Sequence, residues 1–202
     1  MAVGWSGARA GDSVLDVCTG SGDLAFLLAA TVGPRGQVTA LDFAPDILAY
    51  ARGRQAELPK NVERFSTPIE WVEGDAMNLP FEDESFVGAT MGYGLRNIAD
   101  QQKALDELHR VLKRGGKVAI LDFNNARENP TVDFLQSFML ANVVVPAASA
   151  VGLADEYEYL RPSIERFPTG GEQERMALHA GFQSAKHYPI MGGLMGCLVA
   201  VK

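Results

Sequence analysis

Val14-Leu15-Asp16-Val17-Cys18-Thr19-Gly20-Ser21-Gly22-Asp23-Leu24-Ala25 runs from an apolar stretch through a glycine turn into a helical pattern, and a second apolar stretch ends on Asp42. The order is strand, turn, helix, strand, acid. Glycines at 20 and 22 let backbone N–H groups approach a ligand with no Cβ in the way. The turn feeds a helix starting near Asp23, and an acid at a strand end can bind ribose hydroxyls. The segment predicts an α/β fold with a nucleoside site at the carboxyl ends of parallel strands.

An ordinary strand-to-helix turn would account for the glycines alone, and Gly20-x-Gly22-x-x-Ala25 with Asp42 also satisfies the dinucleotide fingerprint. Asp16 separates the nucleoside ligands. A pyrophosphate is repelled by a carboxylate directly beneath it, whereas S-adenosyl-L-methionine carries an ammonium and a sulfonium that favour one there.

Outward from this turn, the chain has the length of one domain: 202 residues, 47% of them apolar, are enough to bury a full core. A formal net charge of -7 leaves no basic stripe for phosphates, so no nucleic-acid partner is expected. Cys18 and Cys197 share no metal-ligand spacing, which predicts reduced thiols and no metal. The chain opens at Met1-Ala2-Val3-Gly4-Trp5 without a secretory or transit pattern.

Strand signals fall near 13–18, 37–42, 69–73, 85–92 and 117–122, with amphipathic helices near 23–32, 46–57 and 100–112 between them. In the last helix Ala104, Leu105, Leu108, Val111 and Leu112 share a face, and Gly115-Gly116 is expected to supply the left-handed stop. The tail differs: a helix over about 171–180 ending at Gly181, then a hairpin of 182–188 and 194–201 around Gly192-Gly193. A mostly parallel seven-stranded sheet closed by a C-terminal β-hairpin resembles the Rossmann-like class I methyltransferases.

Two further clusters carry chemistry. In Glu73-Gly74-Asp75-Ala76-Met77-Asn78-Leu79-Pro80-Phe81, an acid and a small residue after the third strand can offer a carboxylate and a backbone N–H to an adenine, unless Asp75 simply caps the next turn. In Met91-Gly92-Tyr93-Gly94-Leu95-Arg96-Asn97, two glycines open space at the end of the fourth strand, where a Tyr, an Arg and an Asn converge.

The segments VLDVCTGSGDLA, EGDAMNLPF, TMGYGLRN, LHRVLKRGGKVAILDF, YEYLRPSIERFP and AGF together resemble the ubiquinone and menaquinone biosynthesis C-methyltransferase family. GGLMGCLVAVK and ANVVVPAASAVGLADEYEYL resemble its branch from plants, algae and cyanobacteria that methylates demethylphylloquinone. The resemblance spans essentially the whole chain. It implies that Ser21 and the neighbouring Gly20 and Gly22 line the methionine end of S-adenosyl-L-methionine, beside the Asp16 that its charge favours. Asp42 would hold the ribose, Asp75 and Ala76 the adenine, and Gly92 would border the same pocket, with Phe43 a further cofactor-binding residue. It further implies a prenylated quinol substrate, with menaquinone- or ubiquinone-type quinols as alternatives. A chloroplast location is expected for a plant or algal chain, and a cytoplasmic or thylakoid-associated one for a cyanobacterial chain. Residues 1–202 read as one methyltransferase domain, beginning about where the helical segment that members carry before the first strand ends.

Methylation at carbon needs an electron-rich acceptor, hence the reduced quinol and a group that stabilises the phenolate. Arg96 is the candidate, oriented by Asn97, with Tyr93 facing the sulfonium or packing; a bridge from Arg96 to a carboxylate such as Asp75 is the structural alternative. His109, His179 and His187 are further candidates for a base. The apolar but interrupted stretch 134–146 suits a prenyl-tail lining through Phe134, Phe138 and Met139, covered by residues 154–168, with peripheral membrane contact. An NAD-dependent oxidoreductase and a non-catalytic scaffold of a quinone-synthesis assembly are the competing readings.

Overall fold

The computed structural model describes residues 1–59, 67–127, 129–139, 142 and 160–202. The elements in chain order are α1 (Ala2–Trp5), β1 (Ser13–Val17), α2 (Asp23–Val32), β2 (Gln37–Asp42), α3 (Pro45–Glu57), β3 (Ile69–Glu73) and β4 (Phe86–Gly92). A 3₁₀ turn (Leu95–Asn97) leads to α4 (Gln101–Val111) and β5 (Leu112–Phe123), followed by α5 (Pro130–Met139), α6 (Leu160–Arg166) and α7 (Gly170–His179). The chain closes with β6 (Ser184–Ile190), a 3₁₀ turn (Met191–Gly193) and β7 (Met195–Val201).

The seven strands form one sheet in the order β3-β2-β1-β4-β5-β7-β6. β1 to β5 are mutually parallel, while β7 runs antiparallel to both β5 and β6. Val14, Leu15 and Val17 are all buried, as are Ala89 and Met91 of β4. That continuous burial is what a sheet covered on both faces demands. β1 has β2 on one side and β4 on the other, so the chain leaves it in opposite directions. This topological switch opens a crevice beyond the carboxyl ends of β1 and β4.

α4 shows how the sequence builds one covering helix. The Asp100 carboxylate accepts the Lys103 N–H at 3.0 Å as N-cap, and Ala104, Leu105, Leu108 and Val111 are buried in the main core. Each fully buried leucine contributes about 1.5–3 kcal/mol relative to exposure. The expected glycine stop is not used. Leu112 is already extended, and the chain passes directly into β5, where Leu112 pairs with Phe86. Gly115 does take a positive φ of 77°, but inside the strand, and its N–H donates to the Lys202 carbonyl at 2.7 Å. Strand pairing with β4 and the C-terminus thus overrides the local helix-ending signal.

β5 starts five residues before the expected 117; α2, β2 and β3 fall where expected, and the other boundaries shift by no more than two residues, most in the hairpin, whose first strand is 184–190 where 182–188 was expected. Phe182 is instead a buried core residue behind α7.

Candidate active site

Where β1, β2, β3 and β4 end, a cavity of ≈ 550 Å³ opens. Gly20, Asp42, Phe43, Asp75, Ala76 and Gly92 of the expected cofactor set line it, as do Tyr93 and Asn97 of the expected catalytic set. Asp16, Ser21, Gly22 and Arg96 do not line it. Cys18, Ile47, Ile98 and Ala99 do, although nothing in the sequence reading singled them out.

Asp42 faces both the cavity and the turn. Its Oδ2 accepts the Gly20 N–H at 2.8 Å and its Oδ1 accepts the Ala44 N–H at 3.0 Å. An ionised carboxylate has about four acceptor sites, so roughly two remain for a ligand. Asp75 also has a local partner, its Oδ1 accepting the Met77 N–H at 2.8 Å. The turn-capping alternative is therefore realised together with a position on the cavity wall.

Asp16 lies beneath the turn, with 1% of its surface exposed. Its Oδ1 accepts the Thr90 hydroxyl and its Oδ2 the Thr19 hydroxyl, both at 2.6 Å. Both Asp16 oxygens are thus engaged by threonine hydroxyls beneath the turn. Thr90 stands opposite Asp16 in the β1–β4 register. Burial is the largest influence on this carboxyl and pushes it up to about 6, against the hydroxyl hydrogen bonds. A polar residue within the apolar run of β4 was the available signal for Thr90.

Cys18, at a positive φ of 54°, joins β1 to the turn. Its thiol is pushed up to about 12, first by burial and then by the charges of Asp42, Asp16, Asp122 and Asp75. Asp42 and Asp75 line the cavity and Asp16 lies beneath the turn, whereas Asp122 is paired with Arg96; this acidic wall favours a cationic ligand over a pyrophosphate. Space on the opposite wall depends on Gly94, where a Cβ would fall 2.5 Å from that of Cys18.

Arg96 is committed behind the cavity. Its Nε pairs with Asp122 Oδ1 at 3.2 Å, the two side chains being 7% and 4% exposed. Asp122, not Asp75, is its carboxylate partner. The Arg96 N–H donates to the other Asp122 oxygen at 3.2 Å, while Nη1 donates to Ser163 Oγ at 2.5 Å and to Asn97 Oδ1 at 3.3 Å. Burial raises the Asp122 carboxyl and Arg96 opposes that rise.

Tyr93 has a positive φ of 57°, and its ring lies 5.7 Å from that of Phe123. Burial and then Asp122 push its phenol up, so the hydroxyl stays protonated at neutral pH. Among the described residues no histidine lines the cavity. His109 packs edge-on against Phe182, and His187 has an imidazole pushed down chiefly by burial.

On α5 only Gln136 is buried, while Phe134 and Phe138 are 72% and 52% exposed and stack at 6.5 Å. Of the expected cover, 154–159 lies outside the described residues, and Leu160–Arg166 forms α6. Among the described residues no helix is long and apolar enough to cross a membrane, and no group of three His, Cys, Asp or Glu could hold a metal ion.

The model of the ubiE/COQ5 methyltransferase family matches residues 2–202. A protein of Arabidopsis thaliana named 2-phytyl-1,4-beta-naphthoquinone methyltransferase, chloroplastic, is 54% identical over 202 residues, covering all of this chain and 76% of that protein. A 2-phytyl-1,4-naphthoquinone methyltransferase of Synechocystis is also 54% identical over 202 residues, with 82% of its length covered. Among solved structures, a SAM-dependent methyltransferase from Aquifex aeolicus aligns with a TM-score of 0.70 at 20% identity, over 98% of this chain and 86% of that one, and so shares the fold.

Proposed function

This chain belongs to the ubiE/COQ5 methyltransferase family, and on that premise we propose that it methylates a ring carbon of a prenylated naphthoquinol, converting demethylphylloquinol to phylloquinol with S-adenosyl-L-methionine. The observation that carries this reading is the 54% identity, over the whole chain, to two proteins named for 2-phytyl-1,4-naphthoquinone methylation. The family and the fold imply use of S-adenosyl-L-methionine. The cavity fits that molecule's charge, since the Asp42 and Asp75 carboxylates line it and Asp16 lies beneath its turn.

Gly20 then lines the methionine end, Asp42 and Phe43 hold the ribose side, Asp75 and Ala76 the adenine side, and Gly92 borders the same pocket. Asp16 acts from beneath by its field and by fixing Thr19. Ser21 and Gly22 shape the turn.

S-adenosyl-L-methionine supplies a methyl on a positively charged sulfur, an electrophile that only an electron-rich carbon accepts. A quinone ring is electron-poor, so the acceptor is the quinol, activated as one phenolic oxygen loses its proton. The protein must stabilise that oxygen. The Tyr93 hydroxyl and the Asn97 amide, both on the cavity wall, are the donors at hand. Arg96 is a positioning residue: its Nη1 holds Asn97 Oδ1, while the Asn97 NH₂ donates one hydrogen to the Tyr93 carbonyl at 3.4 Å and keeps one to offer. The acidic wall counts against an NAD-dependent oxidoreductase.

The exposed Phe134 and Phe138, with Met139, supply an apolar surface for the prenyl tail and for peripheral contact with the membrane that stores it. A plant or algal source would place the protein in the chloroplast, as the name of the Arabidopsis relative does for that protein. A cyanobacterial source would make it cytoplasmic or thylakoid-associated.

The test is transfer of labelled methyl to prenylated naphthoquinols and benzoquinols, each offered reduced and oxidised under strict anaerobiosis. Product is expected only from the reduced naphthoquinol. Equal rates on quinone and quinol would sink the mechanism, and preference for a benzoquinol would move the chain to the ubiquinone branch. Cofactor binding without turnover on any quinol would leave the scaffold reading.

A further inference from the structure

We infer that Arg54, on α3 and outside the cavity, is a positioning residue for the glycine turn, and that it sets the affinity for the nucleoside cofactor without touching it. The inference rests on the reading of the turn as the S-adenosyl-L-methionine site.

The turn needs holding. Gly20 and Gly22 have φ of 54° and 87°, and a chain with two left-handed glycines flanking Ser21 has several peptide orientations within reach. The Ser21 carbonyl and the Gly22 N–H belong to one planar peptide, so fixing both ends fixes that plane. The Gly22 N–H donates to the Thr19 carbonyl at 2.9 Å, and the Ser21 carbonyl accepts Arg54 Nη1 at 2.7 Å. Arg54 Nη2 also reaches Asp23 Oδ1 at 3.0 Å, and Asp23 Oδ2 accepts the Ser21 hydroxyl at 2.5 Å. That places Arg54, Ser21 and Asp23 in one cluster on the outer side of the turn.

The guanidinium is itself held, lying over the Phe26 ring at 5.3 Å. Behind the turn the space is filled, since a Cβ on Gly22 would fall 2.7 Å from the Trp71 ring. Asp42 at the end of β2 grips Gly20 from within the cavity, and Arg54 in the helix that follows grips Ser21 from outside. A single β2–α3 unit thus clamps the turn on both sides, and the planar fork of arginine matches two acceptors at once.

Of the two acceptors, the Ser21 carbonyl carries the effect. The Asp23 side chain is 68% exposed and its ion pair is screened by solvent, whereas the bond to Ser21 is partly buried.

The experiment measures cofactor affinity by calorimetry, melting temperature, and the split between KM for S-adenosyl-L-methionine and kcat, on Arg54→Met, Arg54→Lys, Asp23→Asn and Asp42→Ala. Arg54→Met should weaken affinity and raise KM about tenfold, with kcat at saturating cofactor within about twofold. Arg54→Lys should recover part of the loss, and Asp23→Asn should stay near the parent. Unchanged affinity in Arg54→Met or Arg54→Lys, with or without a lower melting temperature, overturns the inference while Asp42→Ala still weakens binding. If Asp42→Ala also binds normally, the cofactor reading of the turn fails first. Should Arg54→Met not fold, the lysine variant alone decides.

Discussion

Two turns flank the cavity, Cys18–Asp23 after β1 and Tyr93–Asn97 after β4, and they are held in different ways. The first is fixed by two carboxylates and a guanidinium from β1, β2 and α3: Asp16 with Thr19, Asp42 with Gly20, Arg54 with Ser21. The second hangs on a buried ion pair to the neighbouring strand, Arg96 to Asp122, and through Ser163 on a helix 67 residues away in sequence. The first turn therefore presents backbone and fixed anions to the cavity, which suits one unchanging cationic ligand. The second presents side chains whose placement depends on distant elements, which suits the substrate side of the proposed reaction.

The sharpest way to break this contrast is Arg96→Met. Removing one partner of a buried pair strands the other charge, and about 3–5 kcal/mol of stability should be lost. Urea unfolding checks this, with Arg96→Met/Asp122→Leu expected to regain most of the loss. Quinol turnover should fall while affinity for S-adenosyl-L-methionine, governed by the other turn, changes far less in the folded fraction. A variant of full stability that loses only turnover would put the guanidinium at the reacting ring and erase the distinction.

The same contrast explains what the sequence disclosed. Gly20 and Asp42 lie within thirty residues, in a fixed order about the helix between them, so local pattern alone places these two on one cavity wall. The partners of Arg96 could not be read this way. Asp122 comes beside it only through the β4–β5 pairing, and Asp75, nearer in sequence and also acidic, was as good a candidate. Thr90 beneath the first turn was hidden for the same reason, since it meets Asp16 by the β1–β4 register. The glycines at 115 and 116 misled because a helix stop and a strand irregularity draw on the same residue type.

Asp16→Asn probes the first turn's buried anion. The folded carboxyl, raised from 3.8 to about 6, binds its proton more tightly than the unfolded chain does. The native state therefore carries more protons between those values, and stability from this group falls as pH rises from about 4 to about 6, then levels off. The difference is about 3 kcal/mol. Unfolding free energies of parent and variant across this range should diverge as the pH rises, with the parent losing ground. Parallel profiles would show that the threonine hydroxyls offset burial fully.

A smaller effect is expected of Asp42→Ala. It removes ribose acceptors and the clamp on Gly20, so binding of S-adenosyl-L-methionine should weaken by about 2 kcal/mol, roughly 30-fold. Melting temperature should move little, because the carboxylate is only partly buried. Normal affinity in the folded variant would remove Asp42 from the site and leave the first turn without its proposed ligand.

The smallest expected effect lies at the far end of the second turn. Ser163 Oγ accepts from Arg96 Nη1 at 2.5 Å and donates to the Leu160 carbonyl at 2.7 Å, tying the turn to α6. Deleting the hydroxyl does not orphan the guanidinium, which keeps Asp122 and Asn97. Beside it lies a cavity of ≈ 180 Å³ bordered by Arg96, Gln101, Ser163 and Arg166, polar and roomy enough for a water to take the place of the hydroxyl. Ser163→Ala should therefore lose only about 1 kcal/mol. Ser163→Val, whose methyls exclude that water, should lose more. Affinity for S-adenosyl-L-methionine should stay unchanged in both, while KM for the quinol rises in the same order, because α6 reaches the second turn and not the first. If the two variants instead weaken cofactor binding, the turns are coupled through α6, and the division between a locally held cofactor wall and a remotely held substrate wall does not stand.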